Sequence, residues 1–276
     1  MTDDGAFRVM TARTSDAARV AIERQGAEGS NATLFAELLT GALLYRETMA
    51  PTLRVQCILQ GSGESGHIVA DSHPDGTLRG LVQCRAGHDA ITLGPGAILK
   101  MMRTLPNGDL HQGAVRLDSE EGISGALMLT MQRSEQIASV VSVGARLRGG
   151  ALYEAAGYLV QLLPEAPEAE EALRMMTDRL ERMPSVSQML EAAPCSADAL
   201  MDRLLEGMPH TLLGESAPRF GCSCDRVRIL TGLSTLGRGE ILEMVELGEP
   251  LEIRCDYCGE AFVVRVEELR GLLRPS

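Results

Sequence analysis

The chain has 276 residues, enough for one large domain and a smaller one, and its net charge of −12 argues against binding nucleic acid through bulk electrostatics. Aromatic residues make up 3% of the chain and tryptophan is absent, which argues against a base-stacking surface. No apolar run is long enough to cross a membrane, and the acidic residues 1–4 lack the features of a secretory signal. We therefore expect a cytoplasmic protein, where seven cysteines are more typical of metal ligands or buried thiols than of structural disulfides.

Strand and helix patterns are mixed in the first part of the chain. Residues 7–11 have the pattern of a short strand, and residues 53–59 alternate as a strand does. Between them, Asn31 is a good N-cap for a helix with one buried face. The apolar positions of that helix are Leu34, Phe35, Leu38, Leu39, Ala42 and Leu43.

Turn residues then predict two hairpins. Residues 73–76 (His-Pro-Asp-Gly) and 107–108 (Asn-Gly) are typical turn sequences, and alternating segments flank each of them. A helix at 123–131 and strands at 137–143 and 157–163 complete the pattern. We expect residues 1–165 to form an α+β domain with a mostly antiparallel sheet.

The pattern changes at Pro164, and two helical segments follow, interrupted by Pro184 and Pro194. Six of the fourteen methionines fall between Met175 and Met208. Such a methionine-rich stripe, taken alone, is more typical of ordinary packing than of an adaptable binding surface. Each segment places its apolar residues on one face: Ala169, Ala172, Leu173, Met176, Leu180 and Met183 in the first, and Ala197, Leu200, Met201, Leu204, Leu205 and Met208 in the second.

Four cysteines lie in two close pairs in the C-terminal tail: Cys222 with Cys224, and Cys255 with Cys258. One residue separates the first pair, two separate the second, and thirty lie between the pairs. Zinc prefers four soft ligands in a tetrahedron, and two short loops that each present two sulfurs can supply them. A helix predicted at 240–247 and a strand at 251–254 would fold the chain back between the loops. The sequence therefore predicts one zinc ion bound by these four thiolates.

The single residue between Cys222 and Cys224 favours redox chemistry. A disulfide between residues i and i+2 closes a small strained ring, and strained disulfides are easily reduced, which suits a reversible switch. Structural zinc is coupled to folding, by roughly 10–16 kcal/mol in small peptides. A tail with so few large apolar residues should therefore lose its fold when oxidation removes the thiolates. Gly221 and Gly259, beside the two pairs, permit tight turns.

The order of these cysteines resembles the C-terminal signature of the redox-regulated heat-shock protein 33 family, the 33 kDa chaperonins. The resemblance spans nearly the whole chain. Its other matching segments are residues 60–63 (Gln-Gly-Ser-Gly), 68–71, 78–80 (Leu-Arg-Gly), 134–137 (Ser-Glu-Gln-Ile), 157–164, 232–244 and 253–259.

Membership of this family implies a chaperone that zinc and oxidation control. The reduced protein would hold one zinc ion and be inactive. Oxidants acting with unfolding stress would release the zinc and join the cysteines within each pair, Cys255 with Cys258 and Cys222 with Cys224. The exposed surface would then bind unfolding client proteins without ATP, usually as a homodimer.

The resemblance also implies three parts of the chain. Residues 1–165 would be the α+β chaperone core, residues 166–219 a helical, metastable linker lying over the sheet, and residues 220–276 the small zinc-binding redox domain. In that case the methionine-rich stripe has a regulatory role. Two features depart from the family pattern. Glu64 stands where a proline is expected, and three cysteines lie outside the motif, namely Cys57, Cys84 and Cys195. We interpret these three cysteines as small buried hydrophobic residues.

Alternatives from other classes of protein are weaker. A zinc-ribbon nucleic-acid-binding or transcription-type module is opposed by the excess of acidic over basic residues in the tail and by its scarce aromatics. Residues 61–66 match Gly-x-Gly-x-x-Gly, but a strand pattern follows where a dinucleotide site needs a helix. No catalytic constellation supports an enzyme, so we expect no enzymatic activity. A relative that is constitutively active is hard to reconcile with the intact cysteine quartet.

Overall fold

The computed structural model describes residues 1–105, 107–119, 121–163 and 170–273. The chain divides into two compact units, Met1–Gly221 and Cys222–Ser276. Both combine helices with antiparallel strands, so the predicted α+β class is confirmed. The expected boundary between core and linker at 165/166, and Ala169, lie outside the described residues. Across the part of the chain that is described, we find no helix with both the length and the apolar character that crossing a bilayer requires.

The elements follow one another in chain order. The strands are β1 (Phe7–Arg13), β2 (Arg54–Gln60), β3 (Gly66–Ser72), β4 (Thr77–Cys84), β5 (Ile98–Thr104), β6 (Leu110–Arg116), β7 (Ser139–Arg148), β8 (Ala151–Leu162), β9 (Arg219–Phe220), β10 (Leu251–Arg254) and β11 (Ala261–Val264). The α-helices are α1 (Ser15–Gln25), α2 (Gly29–Glu47), α3 (Gly122–Thr130), α4 (Glu170–Arg182), α5 (Val186–Ala192), α6 (Ala197–Leu205), α7 (Arg226–Ser234), α8 (Arg238–Leu247) and α9 (Val266–Leu272).

The first unit contains two sheets, with strand orders β6-β5-β2-β3-β4-β9 and β1-β8-β7. Neighbouring strands are antiparallel, except that β9 runs parallel to β4. The two predicted hairpin turns are confirmed, since residues 73–76 join β3 to β4 and residues 107–108 lie between β5 and β6. The glycine-rich loop after β2 forms only a short 3-10 turn, Ser62–Glu64, before β3 begins. The helix that a dinucleotide site needs therefore does not start there.

Helix α2 packs against strands of both sheets and is buried on every side along its second half. Residues 38–46 are all buried, so the prediction of a single buried face was wrong. The predicted N-cap was also wrong, because the helix begins before Asn31. The Asn31 side chain instead accepts from the Ile91 N–H at 2.9 Å and donates to the Asp89 carbonyl at 3.2 Å. It ties the helix to the loop before β5.

Helices α5 and α6 pack on the three-stranded sheet, α4 packs against α6, and the apolar residues of all three form one buried cluster with the sheet. The prediction of two helices was incomplete, because α5 lies between Pro184 and Pro194. Leu173 was wrongly placed on the buried face, since it is 43% exposed. The cluster contains Phe7, Val9, Tyr158 and Val160 from the sheet and Met176, Val186, Met189, Leu190, Leu200, Leu204, Leu205 and Met208 from the covering segment.

Helix α5 is held by polar contacts at both of its ends. The Val186 N–H donates to Ser142 Oγ on β7 at 3.1 Å, and Arg146 donates to carbonyl groups of the last turn. Strand β7 comes very close at Gly144, where a Cβ atom would lie 2.5 Å from the backbone nitrogen of Ser187. A seven-residue helix is not stable alone in water, so its docking on β7 is what maintains it.

The carboxyl group of Glu37, on α2, faces Ser187 of α5. Burial raises the pKa of Glu37 from 4.5 to about 7, although hydrogen bonds from the Ala145 N–H and the Ser187 hydroxyl oppose the shift. Because the folded state keeps a proton that the unfolded state releases, stability should fall as the pH rises from 4.5 to about 7 and stay low above that. We expect Glu37→Gln to stabilise the reduced protein at pH 8 by about 2 kcal/mol and to change little at pH 5.

This prediction can be checked from urea midpoints at the two pH values, followed by far-ultraviolet circular dichroism. Glu23→Gln is the matched control, because Glu23 is an exposed glutamate on the neighbouring helix α1. The control should keep the parent's difference between pH 5 and pH 8. If the Glu37→Gln protein also keeps the parent's difference in urea midpoint between pH 5 and pH 8, Glu37 is not the cause of that difference.

Asp71 anchors the hairpin of β3 and β4 through a buried ionic cluster. Both oxygens of its fully buried carboxylate accept from Arg54, at 2.6 and 2.7 Å, and one also accepts from Arg79 at 2.9 Å. His73 Nε2 lies 3.1 Å away. Burial alone would raise the pKa of Asp71, but the hydrogen bonds from His73 and Arg54 outweigh it and hold that pKa well below its usual range. The cluster fixes the positions of β2, β3 and β4 relative to one another.

The second unit has a very small core. The predicted helix and strand are confirmed as α8 and β10, and β10 pairs with β11 as a hairpin. Arg226 on α7 forms a forked ion pair with Glu268 on α9. Burial of so little apolar surface cannot by itself offset the conformational entropy lost on folding. The only buried residues in the described range 222–273 are Leu233, Ile241, Cys258, Val264 and Leu269.

Candidate metal centre

The four cysteines that the sequence singled out lie together in the second unit. Cys222 Sγ is 3.7 Å from Cys255 Sγ, and Cys224 Sγ is 3.3 Å from Cys258 Sγ. All four sulfurs lie within 4.8 Å of one another. Sulfurs bound at about 2.3 Å to one tetrahedral zinc ion would be about 3.8 Å apart. The spacing therefore fits a single zinc ion at the centre of the quartet.

The first pair is held by the start of helix α7. Asp225, directly after Cys224, caps this helix, and its Oδ1 accepts from the Arg228 N–H at 2.8 Å. The Arg228 guanidinium also donates to Ser223 Oγ, between the two cysteines, at 2.6 Å. Neither residue was predicted to support the site. The aspartate directly before the first residue of α7 was the available sequence signal, since aspartate is a preferred N-cap.

The second pair lies in the tight turn that joins β10 to β11. The Cys255 N–H donates to the Glu260 carbonyl at 2.9 Å, and the Gly259 N–H donates to the Cys255 carbonyl at 2.8 Å. Gly259 has a φ of 72°, in the left-handed region that favours glycine. The turn predicted at Gly259 is thus present, and it brings both sulfurs of this pair within 4.8 Å of those of the first pair.

The chemistry of the quartet also fits a metal cation. Burial and hydrogen bonds from the neighbouring thiols raise the pKa of Cys224, and burial raises the pKa of Cys258. Four thiolates this close together are therefore unfavourable unless a cation compensates their charge. Among the described residues, no other group of three or more His, Cys, Asp or Glu side chains has the geometry to share one ion.

The other three cysteines lie in the first unit and are free. Cys57 and Cys195 are buried, and burial raises the pKa of both thiols. Cys84 is half-buried, and its sulfur accepts from the Asn31 amide at 3.3 Å. Cys57 and Cys195 therefore pack as small apolar residues, as expected.

Comparison with known proteins places this chain among the chaperonins of 33 kDa. The family model described as Hsp33 protein matches residues 1–265. A 33 kDa chaperonin of Geobacter sulfurreducens is 28% identical over 282 aligned residues, which cover 99% of this chain and 92% of that protein. The 33 kDa chaperonin of Listeria monocytogenes is 29% identical, with 98% and 95% covered.

The same likeness extends to the fold. The crystal structure of the 33 kDa chaperonin from Thermotoga maritima, a heat-shock protein 33 homologue, matches with a TM-score of 0.81 and 25% sequence identity. The match covers 98% of this chain and 94% of that one. Because the family model accounts for nearly every residue from the first strand to the second cysteine pair, the chain belongs to the Hsp33 family of chaperones.

Proposed function

We propose that this protein is a redox-regulated, ATP-independent holdase with no enzymatic activity. One zinc ion bound by the four cysteines keeps the reduced protein inactive. Oxidation releases the ion, the second unit unfolds with the linker, and the exposed surface binds unfolding proteins. The observation that carries this proposal is the sulfur quartet in a unit whose own core is too small to fold it.

The switch follows from the incompatibility of a disulfide with zinc binding. Two thiolates within one pair, Cys255 with Cys258 or Cys222 with Cys224, give up two electrons to a peroxide and form one S–S bond. The peroxide takes up two protons and becomes water. A disulfide brings its sulfurs to about 2.05 Å, whereas ligands of a tetrahedral zinc ion stay about 3.8 Å apart. A pair that has formed its disulfide therefore no longer supplies two thiolates to the ion.

The linker and the sheet would provide the client-binding surface. Helices α5 and α6 cover apolar residues of the three-stranded sheet, α4 packs against α6, and some of the contacts that hold α5 are polar. Residues 166–219 would be the metastable linker between the core, residues 1–165, and the zinc domain, residues 220–276. Its release would expose the sheet and the methionine-rich face together. Unfolding proteins in the cytoplasm are the proposed partners, with a homodimer as the oxidised form and with neither nucleic acid nor membrane bound.

Light scattering of a client protein during heating tests the proposed switch. Protein treated with hydrogen peroxide at mildly raised temperature should suppress client aggregation, reduced protein should not, and a thiol reductant with zinc should reverse the effect. Cys84→Ser, which alters a cysteine outside the quartet, should keep this response, and Cys255→Ser should lose the dependence on oxidant. Equal suppression by the reduced and the oxidised parent protein would refute the switch.

A further inference from the structure

Strand β9 occupies an otherwise open edge of the six-stranded sheet. It consists of Arg219 and Phe220 and runs parallel to β4, with Thr77 opposite Arg219 and Leu78 opposite Phe220. The Arg219 N–H donates to the Gly76 carbonyl at 3.1 Å. In this register the Leu78 N–H points to the carbonyl of Arg219. The Gly76 carbonyl and the Leu78 N–H on this edge are thus paired by a strand of two residues.

Few interactions hold β9 in place. The N–H of Gly221 donates to the Leu78 carbonyl at 3.1 Å, and the Phe220 side chain packs half-buried against the core. The Arg219 guanidinium forms an ion pair with Asp75 at 3.2 Å, but both side chains are about 60% exposed, so solvent screens the pair. Paired at only two positions, this strand is easily displaced.

Beyond β9, towards the end of β4, the same edge is already occupied by a side chain of helix α1. The Val82 N–H, which points the same way further along β4, donates to Gln25 Oε1 of helix α1 at 3.2 Å. The part of the edge that opens when β9 leaves therefore runs from Gly76 to about Gly80. This part of β4 is held in the sheet without β9, because Arg79 on β4 binds the buried carboxylate of Asp71 on β3.

Chain connectivity links this edge to the metal centre. Gly221 alone separates Phe220 from Cys222. Under the proposed function, on which this inference rests, oxidation unfolds the segments on both sides of β9. Nothing but its own weak contacts would then hold β9 on β4.

We propose that the edge of β4 from Gly76 to Gly80 is a docking site for an extended segment of an unfolding client protein. The client segment adds as a strand in the place that β9 occupies in the reduced protein, and its backbone pairs with Leu78. Backbone pairing is independent of sequence, which suits a surface that must accept many unfolding chains. An exposed edge of this kind is a template for any extended segment.

The residues that contact β9 in the reduced protein indicate which client segments should bind best. An apolar side chain would fill the place of Phe220 against the core. The next residue would be small, because a Cβ atom at Gly221 would lie 2.6 Å from Thr77 Cγ2. Extended segments that pair an apolar residue with a following glycine fit best.

Amide hydrogen exchange at Leu78 tests this assignment in the full-length protein. The probe is reduced, carboxymethylated α-lactalbumin, which stays unfolded and has no thiol to react with the disulfides of the chaperone. Leu78 should be protected in the zinc-bound protein, lose protection by at least about ten-fold after oxidation, and regain it when the probe is bound. Amides of the central strand β2 should stay protected throughout. Suppression of aggregation is measured on the same samples.

The outcomes separate this inference from the proposed function. Oxidised protein that holds the probe while Leu78 stays unprotected would overturn the docking site and leave the holdase intact. Oxidised protein that holds no client at all would overturn both. Protection at Leu78 that returns without probe and rises with protein concentration would assign the edge to a second copy of the chain, against the proposal.

Two variants and a peptide sharpen the test. Phe220→Ala should speed exchange at Leu78 in the reduced protein. Arg219→Ala, which removes a solvent-exposed ion pair and hydrogen bond with Asp75, should have a much smaller effect. A peptide with the sequence of residues 215–221 should compete with the probe for the oxidised protein. The same peptide with alanine in place of its phenylalanine should compete at least about ten-fold less well. Equal competition by the two peptides would contradict the claim that an apolar side chain of the client takes the place of Phe220.

Discussion

Removal of zinc from the reduced protein is expected to unfold residues 222–273 and to leave the sheets of the first unit folded. The second unit has five buried residues in its described part, one of which is the candidate ligand Cys258. We therefore expect its fold to depend on the metal, because zinc binding contributes roughly 10–16 kcal/mol in small zinc domains. A chelator with a thiol reductant, under anaerobic conditions, should abolish amide protection in α7 and α9 and leave β2 and β3 protected.

Cysteine variants provide the controls for this experiment. Elemental analysis should find one zinc per chain in the reduced parent and in Cys84→Ser, and less than half an equivalent in Cys258→Ser. Chelation that removes the ion while α7 and α9 keep their protection would contradict the dependence of the fold on zinc. Less than half an equivalent in the anaerobically prepared parent would contradict the metal site itself.

Leu204→Asp is expected to release the linker and to give holdase activity without oxidant. Leu204 is fully buried between α6 and the three-stranded sheet. An unpaired carboxylate at this position costs about 4 kcal/mol. Under the proposed function the docked linker is metastable, so we expect this cost to favour its release. Met176→Asp on α4 should act in the same direction, because Met176 is 1% exposed. Limited proteolysis and light scattering in the reduced state measure linker release and activity together.

Leu173→Asp is the matched control, because Leu173 lies on the same helix as Met176 and is 43% exposed. It should keep the protease resistance of the parent and stay inactive when reduced. The linker would have no inhibitory role if Leu204→Asp and Met176→Asp were cleaved quickly yet stayed inactive. Parental resistance in both variants would show that the linker does not depend on these contacts.

The strands of the first unit were predictable because alternating apolar residues and turn sequences are local signals. The hairpin at 73–76 is an example, because the two segments predicted to flank it pair as the antiparallel strands β3 and β4. The helices were less predictable. Helix α1 was missed because its buried positions are mainly alanine, whose weak hydrophobic signal does not stand out. Helix α5 was missed because it has seven residues between two prolines and depends on contacts with β7.

The buried surroundings of α2 could not be read from its own sequence. Its apolar residues form a helical stripe, but small and polar positions such as Thr40 and Gly41 are buried as well. Their burial results from packing between two sheets, which is a tertiary effect. The cluster around Asp71 is of the same kind, because strand register alone brings Arg54 and Arg79 to one carboxylate.

The candidate metal centre was largely predictable, because the ligand set of zinc leaves a recognisable spacing of cysteines. Residue type and spacing indicated which four sulfurs would meet, and the turn at Gly259 indicated how one pair is presented. The residues that support the first pair were not predicted. Asp225 and Arg228 become relevant only once α7 is known to begin there, and the docking of β9 depends on a parallel pairing across more than 140 residues.

Zinc release and client protection, followed together during oxidation of one sample, test most directly whether the metal holds the chaperone inactive. A coloured zinc chelator reports the ion, and light scattering of a heat-unfolding client reports protection. Protection should develop only as zinc leaves the four cysteines, and both should reverse when reductant and zinc are restored. Full protection of the client while zinc is still bound would contradict the claim that the metal holds the chaperone inactive. Complete loss of zinc with no gain in client protection would contradict it as well.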